Sequence, residues 1–135
     1  MKKAFSLVSI LALIFAGIWT IQLGFKYFGV TTCRVKGESM APTYHDGDFV
    51  FISAYALRTW GPRKGDVVVF RDRDDVLVIK RIVRVSGEVD DVTPFAKGRI
   101  LGTNEYVVLG DNTNNSMDSR TYGTIVREQM IGIVK

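Results

Sequence analysis

The 135-residue chain is long enough for one domain with an appended segment, and 47% hydrophobic residues with a mean hydropathy of +0.12 is high for a purely soluble protein. Eighteen Lys and Arg stand against fourteen Asp and Glu, but residues 1–30 hold three lysines and no acid. The remainder is close to neutral, which argues against nucleic-acid binding. One Cys rules out an internal disulfide, and one Cys with one His leaves too few soft ligands for a typical structural zinc site, so no metal or other cofactor is expected.

From Ala4 to Phe25 no residue is charged, with Lys2 and Lys3 before the run and Lys26 after it. At about 1.5 Å per helical residue the run spans roughly the ~30 Å hydrocarbon core of a bilayer, and the pattern predicts a transmembrane anchor. A cleaved secretory signal and a buried core helix are the other readings. The length of the run, and the lack of an A-x-A triplet in the first 40 residues, favour the anchor. Residues 1–30 are thus expected to form a cytoplasmic stub and anchor helix, and residues 31–135 an extracytoplasmic domain. Lys26, Arg34 and Lys36 follow the run closely and weaken the positive-inside asymmetry that would fix this orientation.

Beyond the anchor no helical period is sustained. Short β-branched stretches at Asp48–Ser53, Asp66–Phe70, Val76–Val85, Tyr106–Leu109 and Met130–Val134 read as strands between turn-forming segments. The spacing predicts a compact, mainly β domain. Residues 86–104 carry the least pattern and fit either a hairpin excursion or a loop.

Three segments have chemical potential. In Gly37-Glu38-Ser39-Met40-Ala41-Pro42-Thr43, Gly37 and Pro42 allow a turn sharp enough to expose the Ser39 hydroxyl and aim a backbone N–H, although a serine in such a loop is commonly only a turn residue. The one histidine, His45, lies in a polar turn and reads as a solvated side chain. Lys80 is a better base. With a period of two, Val76, Val78, Lys80 and Ile82 share a face, and an amine emerging among apolar neighbours has a lowered pKa and can accept a proton when neutral. The alternative is a strand-edge lysine that snorkels to solvent. Arg81 and Arg84 read as solvated charges. Finally, Gly110 to Gly123 contains a hydroxyl able to orient a lysine (Ser116) and an acid two residues from an arginine (Asp118, Arg120).

In this order the segments resemble type I signal peptidases, Ser-Lys proteases of peptidase family S26. The matches are GESMAPT at 37–43, KGDVVVF at 64–70, KRIV at 80–83 and GDNTNNSMDSRTYG at 110–123. The resemblance implies a signal-peptidase-like β-barrel or sandwich core behind a single-pass anchor in the cytoplasmic membrane, with the catalytic domain on the extracytoplasmic side. It implies an endopeptidase that removes signal peptides from exported preproteins after A-x-A. Ser39 would be the nucleophile and Lys80 the general base. Ser116 would hold the lysine amine, and Asp118 and Arg120 would support the site. Gly37 and Met40 would support the oxyanion hole, which the Ser39 N–H would line. Substrate would bind as an added β-strand beside Val78 and Ile79. The chain departs from the family pattern in three places. Gly37 stands where some members carry a hydroxyl, Val85-Ser86-Gly87-Glu88 replaces a Leu-Pro-Gly-Asp stretch, and the insert before the last box is nearly absent. Further readings are a specialised processing peptidase of the conjugation or mitochondrial inner-membrane type, a self-cleaving repressor, and an inactive membrane-tethered binding module.

Overall fold

The structure is a computed structural model that describes residues 6–135, apart from the side chains of residues 25–28. Lys2, Lys3, Ala4 and Phe5, expected in the stub and the start of the anchor, lie outside the described residues, as does the side chain of Lys26.

Helix α1 (Leu7–Phe28) is 22 residues long, about 33 Å at the helical rise. Its Leu7–Gly24 window has a hydropathy of 2.1 with none of it buried, and it is the one helix among the described residues long and apolar enough to cross a bilayer. Thr20 Oγ1 donates to Gly17 O, which satisfies that hydroxyl inside the helix. Gly29 follows at φ +57, where an added Cβ would crowd Ala54 and Arg58, and its carbonyl accepts from Ala54 N–H.

Seven strands form one antiparallel sheet. They are β1 (Val30–Arg34), β2 (Phe49–Ser53), β3 (Val67–Arg71), β4 (Leu77–Arg84), β5 (Glu105–Leu109), β6 (Ile125–Val126) and β7 (Met130–Val134), in the order β1-β2-β7-β3-β4-β5-β6. The five strands legible in the sequence are all present, four with their ends moved by a residue or so. Between them, β1 and β6 went unpredicted, as did two short helices, α2 (Ala54–Trp60) and α3 (Ser119–Tyr122). Ser53 Oγ caps α2 by accepting from Ala56 N–H, and Ala56 and Leu57 are its buried residues.

β3 is apolar on both faces because both are covered. Val68 and Phe70 join one buried cluster with Ile82, Tyr106, Val108 and Ile133, while Val67 and Val69 join a second with Val35, Met40, Val50 and Ile52. Val68, Val69 and Phe70 are each at most 2% exposed, and such burial contributes about 1.5–3 kcal/mol per side chain. The β3–β4 register sets Val68 opposite Lys80 and Phe70 opposite Val78, so the most buried strand fixes the position of the lysine. The sheet curls until β1 and β4, which do not pair, border the same cleft. Residues 86–104 form an excursion with a single bridge, Val89 to Ile100. Its fully buried Asp90 carboxylate accepts from Val92 N–H, Thr93 N–H and the Thr93 hydroxyl.

Candidate active site

Ser39 lies in the turn between β1 and β2. Met40, with no exposed surface, plugs the second apolar cluster and pins that turn from below. Backbone bonds from Ala41 N–H to Glu38 O and from Tyr44 N–H to Met40 O close it. Gly37 has φ +82, a conformation that favours glycine, and its N–H donates to Asp46 Oδ1 at 2.7 Å. The Ser39 N–H donates no hydrogen bond among the described residues and is free for a ligand.

Lys80 arrives from β4 and is only 4% exposed. Its Nζ lies 2.8 Å from Ser39 Oγ and donates to Ile79 O at 2.9 Å. No carboxylate among the described residues pairs with it. Burial pushes the ammonium pKa below the ordinary lysine value, and the charge of Asp118 offsets part of that shift. The arrangement therefore holds a base that loses its proton more readily than a solvated lysine against a hydroxyl it can deprotonate.

The loop from Gly110 to Gly123 braces this pair. Asp118 is fully buried, caps α3, and accepts from Gly110 N–H and bidentately from Arg120 at 2.9 and 2.8 Å. Burial alone would raise its pKa. The bonds from Arg120 and Gly110 outweigh burial and hold the carboxyl below the usual range. Arg120 Nη2 also donates to Thr113 O, tying the loop to itself. Ser116 Oγ is buried, and its interaction with Asp118 adds to the bonds that hold that carboxyl's pKa down; Lys80 meets Ser39 but makes no hydrogen bond to Ser116 among the described residues. A Cβ on Gly110 would strike both Ser116 Oγ and the Ser39 carbonyl, which explains why this position holds a glycine.

Two ties in the structure were not read from the sequence. Asn112 grips the nucleophile turn twice, from N–H to Ser39 O and from Nδ2 to Glu38 O, each at 3.0 Å. Arg81 is not a solvated charge. It forms a bidentate pair with Asp111 at 2.8 and 2.7 Å, and Thr43 Oγ1 donates to the same carboxylate at 2.6 Å. That bond from Arg81, followed by the one from Thr43, keeps the Asp111 carboxyl below its ordinary range despite partial burial. Arg84 likewise pairs with Asp91. Nothing local in the sequence pairs Arg81 with a residue thirty positions away; the only available signal was an acid in the last polar loop with no partner of its own. His45 is exposed, as its polar turn suggested, and its Nδ1 lies 3.0 Å from Glu38.

The dyad opens into a cleft of ≈ 230 Å³. Cys33 to Lys36 form one wall and Leu77 to Lys80 the other. Ile79 packs toward the second apolar cluster and Val78 toward the first, and both border the cleft. Along Leu77 to Lys80, β4 pairs with β3 on one edge, and its pairing with β5 begins only at Arg81. β1 pairs with β2 alone.

The family described as "Signal peptidase, peptidase S26" matches residues 4–89 and 88–135. Signal peptidase IB of Staphylococcus aureus strain Mu50 is 32% identical over 146 aligned residues, covering 79% of this chain and 76% of the relative. A probable signal peptidase I-2 of Synechocystis is 28% identical, covering 83% and 64% respectively. A crystal structure of a signal peptidase I from Enterococcus faecalis V583 superposes with a TM-score of 0.48 at 18% identity, over 55% of this chain and 97% of that one.

Proposed function

The chain belongs to the signal peptidase family, peptidase S26, and from that premise we propose that it cleaves preproteins after an A-x-A motif through Ser39 as nucleophile and Lys80 as general base. The observation that carries the assignment is the 2.8 Å contact between Ser39 Oγ and a lysine that is buried without a carboxylate partner.

In the acylation step the Ser39 hydroxyl adds to the scissile carbonyl carbon while its proton passes to the neutral Lys80 amine. The carbonyl electrons move onto oxygen, and the unbonded Ser39 N–H supplies one donor to that oxyanion. The carbonyl reforms as the C–N bond breaks, and Lys80 returns the proton to the departing amine of the mature protein. A water molecule then gives a proton to Lys80 and attacks the ester. The signal peptide leaves as a carboxylic acid and Ser39 regains its proton. Ser116 Oγ, buried over Gly110, takes up the lysine amine once the serine is acylated. Asp118 and Arg120 keep the loop that carries Ser116 in place.

The substrate enters as an extended strand between β1 and β4. The edge of Leu77–Lys80 left open by β5 supplies main-chain groups for pairing. The two alanines of A-x-A turn inward toward Val35, Val69 and Ile79, where a cleft of this size favours small side chains. Helix α1 anchors the protein in the cytoplasmic membrane, residues 1–30 forming stub and anchor, and residues 31–135 act on the extracytoplasmic side, where translocated preproteins emerge.

Detergent-solubilised protein should cut a preprotein after the second alanine of its A-x-A, with Ser39→Ala and Lys80→Ala both inactive. A wild type that leaves such a preprotein intact while cutting another membrane-protein precursor would reassign it to specialised processing.

A further inference from the structure

The cleft has a charge asymmetry that neither the dyad nor the A-x-A pockets use. Arg34 and Lys36 both line it, and neither pairs with a carboxylate among the described residues. No acid is among the cleft-lining residues. The nearest acids in sequence are committed elsewhere: Glu38 holds His45 and the Asp46 N–H, and Asp46 accepts from Gly37 N–H. Arg34 spends only its Nε, on Gly47 O.

Alternation along this wall sorts its side chains. Cys33 and Val35 turn into the apolar cluster, whereas Arg34 and Lys36 are exposed on the other face. A strand laid alongside repeats that alternation. With its two alanines turned inward, the middle residue of A-x-A and the residue two positions upstream turn outward. Outward positions two residues apart are separated by about 6.6 Å, the same spacing as Arg34 and Lys36. Both walls run toward the dyad at their C-terminal ends, so Lys36 lies nearer Ser39 and Arg34 farther from it. The middle residue therefore falls beside Lys36 and the upstream one beside Arg34.

We propose that Arg34 and Lys36 are specificity-determining residues that favour preproteins carrying an acidic side chain at the middle of A-x-A and two residues upstream. The inference rests on the strand-addition reading of the cleft. Because the pairs form at a solvent-facing rim, each charge changes kcat/KM by about 2- to 5-fold, and the effect weakens with added salt.

The test uses the full chain in neutral detergent and three peptides identical except for Glu, Gln or Lys at both outward positions, read as ratios of kcat/KM at low and high ionic strength. The expected order is Glu over Gln over Lys, compressed by salt and inverted in the double variant Lys36→Glu, Arg34→Glu. Because the readout is a ratio within one preparation, a partly unfolded variant lowers all three rates without altering it. Equal rates for the three peptides cut by the wild type would overturn the inference and leave the peptidase reading standing. An effect of the two substitutions seen only in vesicles of anionic lipid, with no dependence on peptide charge, would also overturn it and assign the cations to headgroups. Failure to cut any of the three would sink the peptidase reading with it.

Discussion

A lysine held 2.8 Å from a serine hydroxyl at 4% exposure is an unfavourable place for a positive charge. Its lowered pKa means that the unfolded chain binds more protons than the folded one between the folded value and the ordinary ~10.4, so this group makes stability rise with pH across that window. Lys80→Met should accordingly be inactive yet melt at a higher temperature than wild type at pH 7, with the difference fading as pH approaches about 10; calorimetry across pH checks this. Asp118 stabilises the fold where a charged Lys80 destabilises it, though its slope with pH has the same sign. Its depressed pKa adds stability that is fully present above the ordinary ~3.9 and is lost as pH falls through its folded value. Asp118→Asn should lower the melting temperature at neutral pH and have a diminishing effect in acid. Removing its charge also removes the influence that raises the Lys80 pKa, so the ascending limb of the rate profile should move to lower pH. Ser39 and Lys80 were legible because short motifs carry them. The setting of Ser116 was not, since it depends on how the 110–123 loop folds back over Gly110.

The nucleophile turn, β4 and the last polar loop come from distant parts of the chain, and Arg81, Asp111 and Thr43 join all three. Each link is a charge-assisted bond in a partly covered site, and removing Asp111 takes the carboxylate from both Arg81 and Thr43. Arg81→Ala and Asp111→Ala should each reduce kcat more than they change KM, and the double variant should be far from additive, with a coupling of about 0.5–3 kcal/mol in a double-mutant cycle. At the end of β2, Ser53→Ala should cost about 1 kcal/mol, read in urea unfolding, by removing the cap of α2. The strands were legible where β-branched runs stand between turn formers, as in Asp66–Phe70. β1 was not, because only Cys33 and Val30 of its five residues are even partly buried and its partner β2 lies beyond the whole nucleophile turn. α2 escaped notice because a seven-residue helix with two buried positions shows no period; its cap and its packing onto the first cluster stabilise it instead.

Across the whole molecule, one curled sheet performs two tasks. Its middle strand is sealed on both faces and fixes Lys80. Its two partly unpaired strands, β1 and the start of β4, border the cleft that leads to Ser39. The mainly β architecture and the apolar helix in front of it followed from the pattern of residues, whereas the curl that brings β1 against β4 follows from tertiary packing around Met40, Val69 and Ile79 that no local pattern encodes. The proposed mechanism requires Lys80 to act as a neutral base at working pH. Its most direct test is the pH dependence of the acylation rate on an A-x-A peptide, followed from about pH 5 to about pH 11, in wild type and Asp118→Asn. A neutral-base Lys80 gives a single ascending limb below the ~10.4 of a free lysine, displaced to lower pH in the variant. A rate that stays flat until pH passes about 10, or a limb that Asp118→Asn leaves in place, would contradict it.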